Sequence, residues 1–195
     1  MNKLDFSNLA DESTGSKSLP VNEQVPEVEV QGCKWVDSDS NSPSNWSAIE
    51  CTYSKGGGTL TDRMFIPSKQ MTQPRPYVEN DTVEAALAYK EGVFNRQLLY
   101  IAKALDCENE FLGCTTYEQA CDVINNNCSN SKVYLKTTKN NQGYVECCRG
   151  NSTVNFIESM NVDECTLKYT NNQQEKLNNI TVSYTHLTLP TIYSV

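Results

Sequence analysis

Histidine is close to absent from this chain: of 195 residues, only His186 is one. Its surroundings remove even that. The segment from Val182 begins Val-Ser-Tyr-Thr-His-Leu-Thr-Leu-Pro-Thr, which is what GTC TCT TAT ACA CAT CTG ACG CTG CCG ACG encodes, a string that resembles the end of a transposase sequencing adapter. Ile192, Tyr193 and Ser194 then fit a sample index, and Val195 fits the GTG before a TAG stop. Such a tail, like an expression tag, contributes nothing to the native fold. Residues 182–195 are therefore expected to be artefact, the gene product to be interrupted before its native C-terminus, and His186 to carry no function. Without an imidazole, Ser-His-Asp and Cys-His catalysis and mixed His/Cys zinc sites are excluded.

Other absences narrow the chemistry further. There is no Gly-x-x-x-x-Gly-Lys-Ser/Thr phosphate loop, no Gly-x-Gly-x-x-Gly and no Asp-x-Asp calcium loop with the Gly and Glu it needs. An enzyme would have to rely on carboxylates, Lys or Tyr, and no motif pairs them. No enzymatic activity, cofactor or metal is expected. Nor is there a Cys-x-x-Cys pair among the nine cysteines. Cys107, Cys114, Cys121 and Cys128 recur every seventh residue, but Gly113 interrupts any helix that would align them. Cys147 and Cys148 are strand neighbours that point to opposite faces. All nine are read as ordinary reduced thiols of an intracellular protein, because the N-terminus lacks an apolar signal core and no run reaches membrane-spanning length. Basic residues are also outnumbered, giving a formal net charge of -8, which argues against duplex DNA binding by bulk electrostatics.

What is present reads as one domain with appendages. Residues 1–25 are polar and acidic and are expected to form a flexible arm. Strands are predicted over Glu27 to Val36, with Gly32 marking a bulge, over Trp46 to Tyr53 after a polar loop, and over Thr59 to Ile66. Gly56-Gly57-Gly58 reads as the hairpin turn between the last two. Asp81, with Glu84 reaching back, is predicted to cap a helix through about Leu105, split at Gly92. Thr115 with Glu118 starts a second, ending in Asn125-Asn126-Asn127. Strands resume over Lys132 to Thr138 and Tyr144 to Cys148, with a further one over Thr153 to Ile157.

Three strands, a helical insert, then two or three strands give a mainly β, α+β fold, and that is the order of a five-stranded OB-like barrel with helices between the third and fourth strands. The domain is expected to span residues 26–160, followed by a partial C-terminal segment, 161–181. A generic α+β sheet covered by helices on one side has the same element count.

The strand faces carry the functional expectation. If Ile49, Cys51, Tyr53, Leu60, Met64, Val133 and Leu135 face the core, then Arg63, Phe65, Tyr134, Lys136 and Tyr144 face outward. Flat rings stack on unpaired bases while Lys and Arg neutralise phosphates, the mixture that single-strand binders need. Lys34, Trp35, Lys55, Lys132 and Arg149 extend this set through loops and strand ends.

The same segments carry a resemblance. Leu4-Asp5-Phe6-Ser7-Asn8-Leu9, Val28 to Trp35, Asp62-Arg63-Met64-Phe65-Ile66-Pro67, Ile101-Ala102-Lys103-Ala104-Leu105 and Val133-Tyr134-Leu135-Lys136 resemble the small OB-fold single-stranded DNA-binding proteins of tailed phages. The resemblance implies a non-enzymatic protein that coats replication or recombination intermediates in the cytoplasm of an infected bacterium. Its partners would be single-stranded DNA, phage replication or recombination proteins and further copies of itself, with no membrane. An acidic C-terminal tail usual in that family is not present here. The rival readings are a phage structural or assembly protein and an extracellular cysteine-rich module.

Overall fold

The computed structural model describes residues 18–38, 45–150 and 154–185, with side chains described as far as residue 178. His186, the polar loop at 39–44 and residues 151–153 lie outside the described residues.

Three strands come first: β1 Val25–Asp37, β2 Ser47–Lys55 and β3 Gly58–Phe65. They form an antiparallel meander. β3 alternates buried and exposed at every residue, as its sequence pattern predicts. The β2–β3 turn needs two left-handed residues, which Gly56 (φ 56°) and Gly57 (φ 80°) supply at no steric cost. In β1 the register to β2 slips between Val30 and Gly32, the expected bulge. Gly32 has φ 129°, and a Cβ there would meet Asn125 Oδ1 at 2.7 Å.

The helical insert follows: α1 Val83–Ala104, α2 Glu108–Leu112 and α3 Tyr117–Asn127. α1 runs unbroken through Gly92, so the predicted split there does not occur. Its N-cap is Thr82, whose hydroxyl accepts from Ala85 N–H, and not Asp81. Asp81 is taken instead by Arg75, in a pair at 2.7 Å, and Glu84 by Lys69, also at 2.7 Å. α3 likewise begins one residue later than predicted, with Thr116 as its cap. α1 and α3 bury Phe94, Leu98, Ile101, Cys121 and Ile124 against Val28, Val30, Ile49, Tyr53, Met64 and Val133 of the sheet, one continuous core. α2 was not foreseen.

The last strands are β4 Lys132–Leu135, β5 Thr137–Lys139, β6 Val145–Cys147 and β7 Ile157–Ser159. The chain is thus a mixed α+β fold with a five-stranded antiparallel sheet, ordered β3-β2-β1-β4-β7, and a separate β5–β6 hairpin. Among the described residues, backbone pairing does not close the sheet into a barrel. The predicted single strand over 132–138 is broken at Lys136, where the chain changes partners: Lys136 N–H donates to Phe156 O (2.7 Å) and Lys136 O accepts from Cys148 N–H (2.8 Å). β6 lies alongside β3. The join there is a side chain, Arg149, paired with Asp62 of β3 at 2.9 Å.

Leu19 is buried and Pro20 O accepts from the Thr137 hydroxyl at 2.7 Å, so residues 19–24 are tied down where a flexible arm to residue 25 was expected. A fourth helix, α4 Asn171–Thr185, continues across Val182, where the adapter reading begins. No helix among the described residues is long and apolar enough to cross a membrane.

Candidate nucleic-acid interface

On the side of β1–β3 away from the helices, register places Lys34, Glu50 and Arg63 in one row across three strands. Lys34 Nζ lies 3.1 Å from Glu50 Oε2, and Arg63 Nε donates to Glu50 Oε1 at 2.8 Å. The hydrogen bond from Arg63, then that from Lys34, holds the Glu50 carboxyl below its ordinary range, so it stays ionised between its two cations. One carboxylate against two cations leaves the row with a net positive charge. Glu50 is only 8% exposed, whereas Lys34 and Arg63 are 69% and 45% exposed, so the cations are what solvent meets.

One step along the strands, Phe65 sits opposite Ala48 and is 47% exposed. Its ring meets Trp46 edge to face, with centroids 5.2 Å apart, and the Arg63 guanidinium carbon lies 5.2 Å from the centre of the Trp46 ring. Two rings and an arginine thus form one partly exposed cluster, with Lys34 in the adjoining row. Trp46 and Glu50 were not among the expected site residues. The signal was there: the alternation that turns Ile49, Cys51 and Tyr53 inward turns Trp46, Ala48 and Glu50 outward.

Other expected site residues lie elsewhere. Trp35 pairs with buried Ile49 and stacks on Tyr117 of α3 at 6.3 Å, so it faces the helices while Lys34 faces away from them. The Gly32 bulge causes this: one extra residue exchanges inward and outward positions downstream. Lys136 is fully buried, not outward. The break at that residue reverses the strand's phase, and Nζ donates to Lys168 O at 3.1 Å, with Gln173 Oε1 at 3.5 Å. Burial lowers its pKa from the usual lysine value. Arg149 is engaged in the Asp62 pair and also donates to Gln97 Oε1 (3.2 Å) and Arg63 O (3.3 Å), so it is a structural clasp rather than a free cation.

Lys55 and Lys132 come together at the turn end of β3, opposite the Phe65 end, where they share a depression with Glu27 and Glu29. Lys55 donates to Pro26 O at 2.5 Å and Lys132 lies 3.7 Å from Glu27. Tyr134 is half-buried on β4, opposite Glu158, and Tyr144 beside the β5–β6 turn is 69% exposed. The structure therefore unites Lys34, Arg63 and Phe65, and adds Trp46.

Among the described residues no group of three or more metal-capable side chains comes together. Cys107, Cys114 and Cys128 each donate to a nearby backbone carbonyl, and burial pushes Cys107 and Cys121 up to about 11, the condition of resting thiols. Two of the nine are not free, however. Cys33 and Cys51, direct cross-strand partners with Cα atoms 4.2 Å apart, form a disulfide where reduced thiols were expected. A closely spaced antiparallel pair brings its Cβ atoms within bonding reach on one face, a proximity visible only once register is known. No family model, no curated protein and no solved structure matches this chain, so its functional reading stands on the chain's own residues.

Proposed function

We propose that this chain binds single-stranded DNA on the outer face of β1–β3, within a partly open OB-like barrel, and does no chemistry on it. The observation that carries the reading is the Trp46–Phe65–Arg63 cluster beside Lys34 on one sheet face. Partly exposed rings offer stacking to unpaired bases, and the adjoining cations offer phosphates the compensation that a chain of net charge -8 does not give by bulk.

The connectivity supports the barrel. β1 lies between β2 and β4, the run 132–139 passes from β1 to β6 through Lys136, β6 adjoins β3 through Arg149, and the helices fall between β3 and β4. OB barrels have this circuit and use the face of their second and third strands for oligonucleotides. The biological setting we propose is the coating of replication or recombination intermediates of a tailed phage in its host, as the resemblance implies.

The test is a fluorescence anisotropy titration of the full chain with labelled oligo-dT and with a duplex of equal length, at two salt concentrations. Tighter binding to the single strand, weakening as salt rises, is expected. Trp46→Ala and Phe65→Ala should each cost roughly 1–3 kcal/mol, the range for one stacked base. Binding to neither nucleic acid would end the proposal.

A further inference from the structure

A groove of about 390 Å³ opens between the end of β3 and α1, with Phe65, Met71, Tyr89, Lys90, Val93 and Arg149 in its walls. Its volume falls in the range of small-ligand sites, roughly 300–1,000 Å³. Phe65 belongs to both this groove and the Trp46 cluster, so the two surfaces are continuous through one ring. Every charged side chain in its wall is basic, in a chain whose balance is acidic. Lys90 is the available one: its hydrogen bonds go to neutral oxygens, Met71 O at 3.0 Å and Thr72 Oγ1 at 3.5 Å. Tyr89 is 44% exposed and its ring is held by Arg75, whose guanidinium carbon lies 4.8 Å from the ring centre and is itself clamped by Asp81.

We infer that this groove takes one unstacked nucleotide of a bound strand, its base against Phe65 and Tyr89 and its phosphate toward Lys90. The inference rests on the single-strand reading above and deepens it: the path does not end at the sheet face but turns at Phe65 into a pocket on the helical side. Apolar walls with rings suit a base, and an unbalanced ammonium suits the phosphate attached to it. A neutral apolar peptide would leave the Lys90 charge unanswered.

The test uses the full chain and oligo-dT carrying one 4-thiothymidine at successive positions, with photocrosslinked peptides mapped by mass spectrometry and affinities followed by anisotropy. Crosslinks at the 67–78 loop or near Tyr89 are expected from one register of the oligonucleotide. Tyr89→Ala should weaken binding about tenfold, a loss within the range for one stacked base, and Tyr89→Phe should restore it. Crosslinks confined to the Trp46 side, with Tyr89→Ala binding as wild type, would overturn the groove while leaving the sheet-face reading intact. Failure of the unsubstituted protein to bind any oligo-dT would overturn both. Since Tyr89 is largely at the surface, an unchanged thermal midpoint in Tyr89→Ala separates lost binding from lost fold.

Discussion

Asn125 of α3 satisfies both backbone groups of Cys33 in β1: its Oδ1 accepts from Cys33 N–H at 2.7 Å and its Nδ2 donates to Cys33 O at 2.9 Å. β4 pairs with β1 only as far as Glu29, so past the bulge a primary amide does the work of the missing strand.

Removing that amide should destabilise the fold without touching the core. Asn125→Ala leaves a donor and an acceptor unpaired, at a cost of about 1–3 kcal/mol. Asn125→Asp should also be destabilised near neutral pH, because its carboxylate faces the Cys33 carbonyl. It should recover as pH falls below about 4, where a protonated carboxyl can donate. Urea midpoints at two pH values measure both, and equal losses for Ala and Asp at acid pH would contradict the assigned geometry.

The Asp62–Arg149 clasp should be costly to break from one side. Arg149→Met leaves a buried carboxylate uncompensated, an expected loss of about 3–5 kcal/mol. Burial already holds the Asp62 carboxyl above its ordinary value, against the opposing pull of Arg149. A folded pKa above the unfolded one means that the group's contribution is fully present below the unfolded value and declines as pH rises through the folded value. Wild type should therefore lose stability relative to Asp62→Asn from about pH 4 upward, and Arg149→Met, by raising the folded value further, should leave that onset in place and extend the decline to higher pH. Denaturant midpoints across a pH series are the readout.

Lys136 carries a pH signature in the alkaline range. Its folded pKa is lowered by burial, so below that folded value the ammonium is charged in both states and its desolvation penalty is fully present. As pH rises through the folded value toward about 10.4, the unfolded chain binds more protons and that penalty is relieved. Lys136→Met should equal or exceed wild type at pH 7, and its advantage should shrink as pH rises. A constant difference across that range, by thermal unfolding, would contradict the buried ammonium.

The Cys33–Cys51 bond joins residues 18 apart in sequence. Closing a loop of that size restricts the unfolded chain by about 3 kcal/mol. Reduction should lower the thermal midpoint by roughly 6–12 °C, which scanning calorimetry with and without reductant would show. Because the Lys34–Glu50–Arg63 row is set by strand register, oligo-dT affinity at low temperature should survive reduction.

Much of this architecture is written locally. β3 shows its burial in its alternation, and Gly56-Gly57 spells its own turn. What was not legible depends on parity and partners. Trp35 and Lys34 exchange faces because of a single inserted residue at Gly32, and no composition rule says how a bulge will resolve downstream positions. Lys136 sits in a sequence that alternates as one strand, yet the strand breaks there because Phe156, just before β7, takes its amide while Cys148, just after β6, takes its carbonyl, contacts formed across 20 and 12 residues of chain respectively. Asp81 and Thr82 are both good caps, and an arginine six residues away decided between them. Trp46 was legible and overlooked. The disulfide was not, since Cys33 and Cys51 become partners only through the post-bulge register.

Thr137 has a larger consequence than its size suggests. Its hydroxyl and amide hold Pro20 and Asn22, its carbonyl accepts from the Tyr169 hydroxyl, and Tyr169 N–H donates to Glu23, while Gln24 reaches Cys165 and Leu167. Three distant stretches are buckled at one strand. Anything tethered upstream of residue 18 and anything riding on the start of α4 therefore leave the domain from neighbouring points.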